Sequence, residues 1–137
     1  MIILDTNVVS DLMSRRSPPV MRWLSSVPAP DLHTTAITKA EILYGIARLP
    51  KGRKRADLQA RADAAFAQMV ERILPFDSAA ADAFAGLQAE RERIGRPISA
   101  FDAQIASIAV VRRAHLATRN VRDFDDCGLT VINPFGA

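Results

Sequence analysis

Met1-Ile2-Ile3-Leu4-Asp5-Thr6-Asn7-Val8-Val9 changes character at Asp5. Before the acid stands a short apolar run; after it, Val8, Val9, Leu12 and Met13 recur at helical spacing. This predicts a strand, a tight turn and a helix, with Asp5 where the strand ends. The same alternation continues along the chain. Strands are expected at Leu32 to Thr35, Ile73 to Phe76, Ala114 to Thr118 and Leu129 to Ile132.

Helices are expected between them. Pro18 and Pro19 can open a short one, since a proline at the first helical position gives up an amide that would be unpaired anyway. Thr38-Lys39-Ala40-Glu41 has capping-box spacing, followed by Ile42, Leu43, Ile46 and Leu49 on one face, with Pro50 as the stop. Lys51 to Arg55 reads as a basic connector and Ala56 to Arg72 as helix. Asp77 or Ser78 can cap a helix ending near Ile94 and Gly95, and a last helix starts near Ser99 with Phe101, Ile105 and Ile108 as its core face. Strands alternating with helices build right-handed βαβ units. The expected fold class is α/β, a three-layer α/β/α sandwich around a short parallel sheet, in a single domain over residues 1–137.

Composition sets the outer bounds. At 137 residues, with 49% hydrophobic and 24% charged residues, the chain is globular and long enough to bury a core without staples. Its one cysteine, Cys127, allows neither an intrachain disulfide nor a multi-thiolate zinc site and fits a reducing, cytoplasmic setting. The first acid comes too early for a signal peptide, and no apolar run approaches the ~20 residues of a membrane span. The net charge of +3 is carried mostly by arginine, whose planar fork suits phosphate; it permits a polyanionic partner without proving one.

Ligands of open α/β sheets gather at the carboxyl ends of strands. Asp5 and Asp123 follow the first and fourth strands, and Glu41 and Asp102 are expected in the first turns of their helices, so folding can bring four acids to one sheet edge. An all-oxygen set suits Mg²⁺, with Mn²⁺ as substitute, rather than zinc. Such a cation can activate water for in-line attack on a phosphodiester. No Gly-x-Ser-x-Gly elbow or Gly-x-x-x-x-Gly-Lys loop offers another chemistry, and His33 and His115 read as structural or surface residues. Each acid also has a plainer reading: Asp5, Glu41 and Asp102 could serve helix starts, and Asp123 competes with Asp125 and Asp126.

The combination resembles the PIN-domain family, and within it the VapC and FitB-like ribonuclease toxins of bacterial toxin–antitoxin pairs. Ile3-Leu4-Asp5-Thr6-Asn7 is similar to the family's first acidic motif, and Thr38 to Gly45 to its second. Gly95-Arg96-Pro97-Ile98 with Phe101 to Ala106 is similar to the third, and Ala117-Thr118-Arg119-Asn120 with Asp123-Phe124 to the fourth. The resemblance spans essentially the whole chain. It implies that Asp5, Glu41, Asp102 and Asp123 are catalytic metal-site acids, supported by Thr6 and Asn120. It further implies RNA as substrate, homodimerisation and a cognate antitoxin occupying the active-site groove. Arg96, Arg119 and Arg122 are candidates to hold RNA phosphates.

Rival readings fail on specific positions. A haloacid-dehalogenase-type phosphatase needs a second acid where Asn7 stands, and a phospho-receiver domain needs a late lysine, whereas none follows Lys54. A catalytically dead nucleic-acid-binding protein of the same fold is the remaining alternative, disfavoured because all four acids are present.

Overall fold

A computed structural model describes residues 1–136. Five strands form one sheet: β1 (Ile2–Leu4), β2 (Leu32–Thr35), β3 (Ile73–Leu74), β4 (His115–Ala117) and β5 (Val131–Ile132). All pairings are parallel and the order is β3-β2-β1-β4-β5, with β1 in the centre. The order reverses direction at β1, the position where an α/β sheet leaves a crevice beyond its strand ends.

The six helices are α1 (Thr6–Ser14), α2 (Pro18–Ser26), α3 (Ala36–Ala47), α4 (Arg53–Gln68), α5 (Ser78–Arg93) and α6 (Ala100–Arg112). They make two layers because adjacent strand residues point to opposite faces. Leu4 and Ala117 pack with Val8, Val9, Ile42, Ile46 and Phe66 on one side, while Ile3 and Leu116 pack with Ile105, Ile108 and Phe124 on the other. Strands buried on both faces read as unbroken apolar runs, as the opening of the chain does. The three-layer α/β/α expectation therefore holds.

Local details differ from expectation in three places. Helix α3 begins earlier, at Ala36: Thr35 is its cap, accepting the Thr38 amide at 3.1 Å. Glu41 thus sits in the second turn, not the first, and has no capping-box role. Helix α4 starts inside the basic stretch at Arg53 and ends at Gln68, with a 3₁₀ turn over Val70–Arg72. Phe101, assigned by spacing to the core face of α6, is 52% exposed. Small residues, Ala103, Ala106 and Ala109, fill that face instead and are fully buried.

Candidate active site

The end of β1 is fixed by hydrogen bonds to both neighbours: the Asp5 amide donates to the Ala117 carbonyl at 3.1 Å, and the Thr34 hydroxyl donates to the Leu4 carbonyl at 2.8 Å. Asp5 then turns into α1 and caps it. Its Oδ1 accepts the Val8 amide at 3.2 Å and its Oδ2 accepts Asn7 Nδ2 at 3.2 Å. Capping and a place in the cleft are compatible roles of one carboxylate, and Asp5 fills both positions. It is buried, 4% exposed.

A cleft of about 760 Å³ opens beyond the strand ends and is lined by Asp5, Thr6, Glu41, Asp102, Arg119 and Asn120. Glu41 reaches it from α3, where Thr6 Oγ1 donates to Glu41 Oε1 at 2.8 Å and lies 3.3 Å from the buried Thr38 hydroxyl. Asp102, the third residue of α6, follows the cap Ser99, whose hydroxyl accepts the Asp102 amide at 3.2 Å.

Asp123 lies in a 3₁₀ turn, Val121–Phe124, anchored by the buried Phe124. It is exposed and stands outside the cleft lining, but its charge reaches Asp102. A second cavity, about 670 Å³, is lined by His115, Cys127 and neighbours and contains none of the four acids.

The electrostatics follow from this crowding. Burial, with a smaller contribution from the Asp102 charge, pushes the Asp5 carboxyl up to about 6 against the opposing hydrogen bonds of Thr118, Val8 and Asn7. Burial also raises the Asp102 carboxyl, opposed by the Ser99 hydroxyl and aided by Asp123. Among the described residues, none of the four acids forms an ion pair. Nor do any three His, Cys, Asp or Glu side chains among them stand close enough to enclose a metal ion unaided. The donor chemistry nonetheless fits a hard divalent cation: oxygen ligands, with the Asp102 charge acting on Asp5 and the Asp123 charge on Asp102, and no ion pair to any of the four among the described residues. Mg²⁺ keeps several waters and takes only one or two carboxylates directly, so enclosure is not required.

The arginine candidates separate. Arg119 lines the cleft, its guanidinium 4.0 Å from the Phe135 ring centroid and its amide held by Asn7 Oδ1 at 2.9 Å. Arg96 is engaged elsewhere, with Asp126 at 3.0 Å and Asp125 at 3.3 Å. Arg122 is exposed on the turn that carries Asp123.

Sequence reasoning passed over several residues around the cleft. Asn7 bridges Asp5 to the Arg119 amide, and Thr118, fully buried, faces Asp5 while accepting the Asn120 amide at 3.0 Å. Both lie in stretches already singled out, so their adjacency to Asp5 and Asn120 was the available signal. Asp11 and Arg16 also line the cleft, and Asp11 accepts the Ser17 amide at 3.2 Å, which ties α1 to α2. Nothing in their local sequence marks them.

Known proteins resemble this chain over nearly its whole length. Over 137 residues the chain is 36% identical to VapC ribonuclease Y4jK of Sinorhizobium fredii, covering 98% of each. It is 35% identical to Toxin FitB of Neisseria gonorrhoeae over 137 residues, covering 98% of this chain and 99% of that one. The crystal structure of FitAcB from Neisseria gonorrhoeae superposes with a TM-score of 0.90 at 35% identity, covering all of both chains. Residues 2–128 match the PIN domain, and with that match added to the parallel sheet and the acid at the end of its central strand, the chain belongs to the PIN domain family.

Proposed function

We propose that this protein is a Mg²⁺-dependent endoribonuclease, with Mn²⁺ as a substitute ion, and the toxin component of a cytoplasmic toxin–antitoxin pair. One observation carries the reading: Asp5, Glu41 and Asp102 converge on one cleft with Asp123 beside them, and among the described residues no cation pairs with any of them. A carboxylate-bound Mg²⁺ supplies an activated water and offsets charge on the phosphoryl oxygens. Asp5, Asp102 and Glu41 are the side chains that would hold it, with Asp123 acting from the rim.

The chain's own groups do the remaining work. Thr6 holds the Glu41 carboxylate in one orientation, and Asn7 and Val8 do the same for Asp5. Arg119, laid against Phe135, presents its fork to a substrate phosphate at the cleft wall. Arg122 is the second candidate phosphate contact, whereas Arg96 would first have to leave its two aspartates. Asn120 and Thr118 shape the edge nearest Asp5.

The names of the relatives, a VapC ribonuclease and a toxin, support RNA cleavage and an antitoxin partner for this chain. A cleft whose carboxylates form no ion pair among the described residues is also a ready seat for an arginine from such a partner. We include homodimerisation in the proposal.

The test is cleavage of labelled single-stranded RNA by the purified chain, with Mg²⁺, with Mn²⁺ and with EDTA. Cleavage is expected only with a divalent cation and should be lost in Glu41→Gln. Undiminished cleavage in EDTA, or by a folded Glu41→Gln protein, would refute the proposal, and binding without cleavage under every condition would favour a catalytically silent scaffold.

A further inference from the structure

Arg91, in the last turn of α5, is the one buried lysine or arginine among the described residues, only 4% exposed. Within that set no carboxylate lies in ion-pair distance of it. A buried cation is costly unless its donors are satisfied, and here the acceptors are uncharged. Nε donates to the Arg96 carbonyl at 2.6 Å; Nη1 donates to the carbonyls of Asp123 at 3.0 Å and Asp125 at 2.8 Å and lies 3.3 Å from Cys127 Sγ.

These acceptors belong to two separate loops. One runs from Ile94 to Ser99 and leads into α6, on which Asp102 is the third residue. The other is the turn that carries Asp123 and continues through Cys127. The first loop is also tied to α5 by the Arg96 amide, which donates to the Arg91 carbonyl at 2.8 Å, and by Gln88 Nε2, which donates to the Ile98 carbonyl at 3.2 Å. At the surface the Arg96 guanidinium closes the same gap onto Asp125 and Asp126. The loops that bring in the third and fourth acids are therefore clasped twice, inside by Arg91 and outside by Arg96.

We propose that Arg91 is a positioning residue: by clamping these two loops it sets the separation of Asp102 and Asp123 and so governs how tightly the carboxylates hold a divalent cation. The inference rests on the metal reading above. An apolar side chain of similar length would fill the space but leave the Arg96 and Asp123 carbonyls without a donor and the Asp125 carbonyl with only the weak Cys127 thiol, freeing the Asp123 turn from α5. Lysine keeps the charge but not the fork, so it can serve only part of the acceptor set. Phe124, buried independently, keeps the turn in the fold without fixing its distance from α6.

Mn²⁺ titration followed by electron paramagnetic resonance tests this on the intact chain, comparing wild type, Arg91→Met, Arg91→Lys, Asp123→Asn and the double variant Arg91→Met with Asp123→Asn. Outer residues that orient ligands typically change metal affinity by about 10- to 100-fold, so Arg91→Met should weaken Mn²⁺ binding about tenfold and Arg91→Lys by less. In the Asp123→Asn background Arg91→Met should add almost nothing, because the clamp acts through that acid. Circular dichroism checks folding; if Arg91→Met does not fold, Arg91→Lys in both backgrounds makes the same comparison.

Unchanged Mn²⁺ affinity in folded Arg91 variants, or the same loss with and without Asp123, overturns the positioning role and leaves the metal reading standing. A wild-type chain that binds no Mn²⁺ overturns both.

Discussion

Asp5→Asn should make the metal-free protein more stable while depriving it of metal. The Asp5 carboxyl rises from 3.8 to about 6 on folding because it is buried, so above that range the folded state holds a charge it would rather not hold. At about 1.4 kcal/mol per tenfold change in proton affinity, this rise amounts to about 3 kcal/mol of destabilisation at pH 7.5. An asparagine removes the charge and remains a good helix cap, with its Oδ1 still able to accept the Val8 amide. Its new Nδ2 meets the donor of Asn7, which loses one hydrogen bond of about 1 kcal/mol. The net gain is about 2 kcal/mol, which for a chain of this size raises Tm by roughly 5–8 °C.

The pH dependence carries the proof. An acid whose carboxyl is raised by folding destabilises only once it ionises, so wild-type stability falls as the pH rises from about 4 to above 6. Near pH 4.5 the ionisation penalty has shrunk to about 1 kcal/mol, which the lost hydrogen bond cancels. Thermal melts in EDTA should therefore separate the two proteins at pH 7.5 and bring them together near pH 4.5. Added Mg²⁺ should then stabilise wild type alone, by about 2.7 kcal/mol at a hundred times its Kd. Identical melting at pH 7.5, or a gain in the variant that persists unchanged at pH 4.5, would refute the account of Asp5 as a buried charge without a partner.

Other expectations follow from the same geometry. Asp123→Asn should weaken Mg²⁺ affinity and RNA cleavage less than Asp5→Asn does, since Asp123 acts on Asp102 from outside the cleft lining; metal titration of the two variants ranks them. Asp125→Asn and Asp126→Asn each break one exposed contact with Arg96, at about 0–1 kcal/mol, and should leave the metal affinity unchanged. If either proves costlier than Asp123→Asn, the fourth acid is misplaced. Arg119→Ala should weaken RNA binding and reduce the slope of log K against log salt by about one, and an unchanged slope would exclude a phosphate contact.

The central strand was legible because nothing competes with it. Ile3 and Leu4 are buried on opposite faces, so their apolar run has one physical meaning, and Asp5 inherits its position from them. Glu41 lines the cleft, but its spacing pointed to the wrong turn of the helix. Thr35-x-x-Thr38 and Thr38-x-x-Glu41 satisfy capping spacing equally well, and only the burial of Thr38 beside Thr6 decides between them. Phe101 failed for a related reason: period alone cannot tell that α6 approaches the sheet closely enough to want alanines. Arg91 was invisible, because a charged residue near a helix end is ordinary until two remote loops close over it. The separation of Arg96 from Arg119 was equally illegible, since their partners come from loops far along the chain.

The parallel pairing of β1 with β4 also orders events during synthesis. Residues 2–4 are made well before their partners on one side, residues 115–117. At about 5–20 residues per second, roughly 6–23 s of translation separate the two strands. Until then β1 has β2 on one side only, and the Asp5 amide lacks the Ala117 carbonyl. A nascent chain can carry Asp5, Glu41 and Asp102 and still lack the strand that completes the sheet edge beside them. The cleft beyond the strand ends is therefore completed only once β4 has been made.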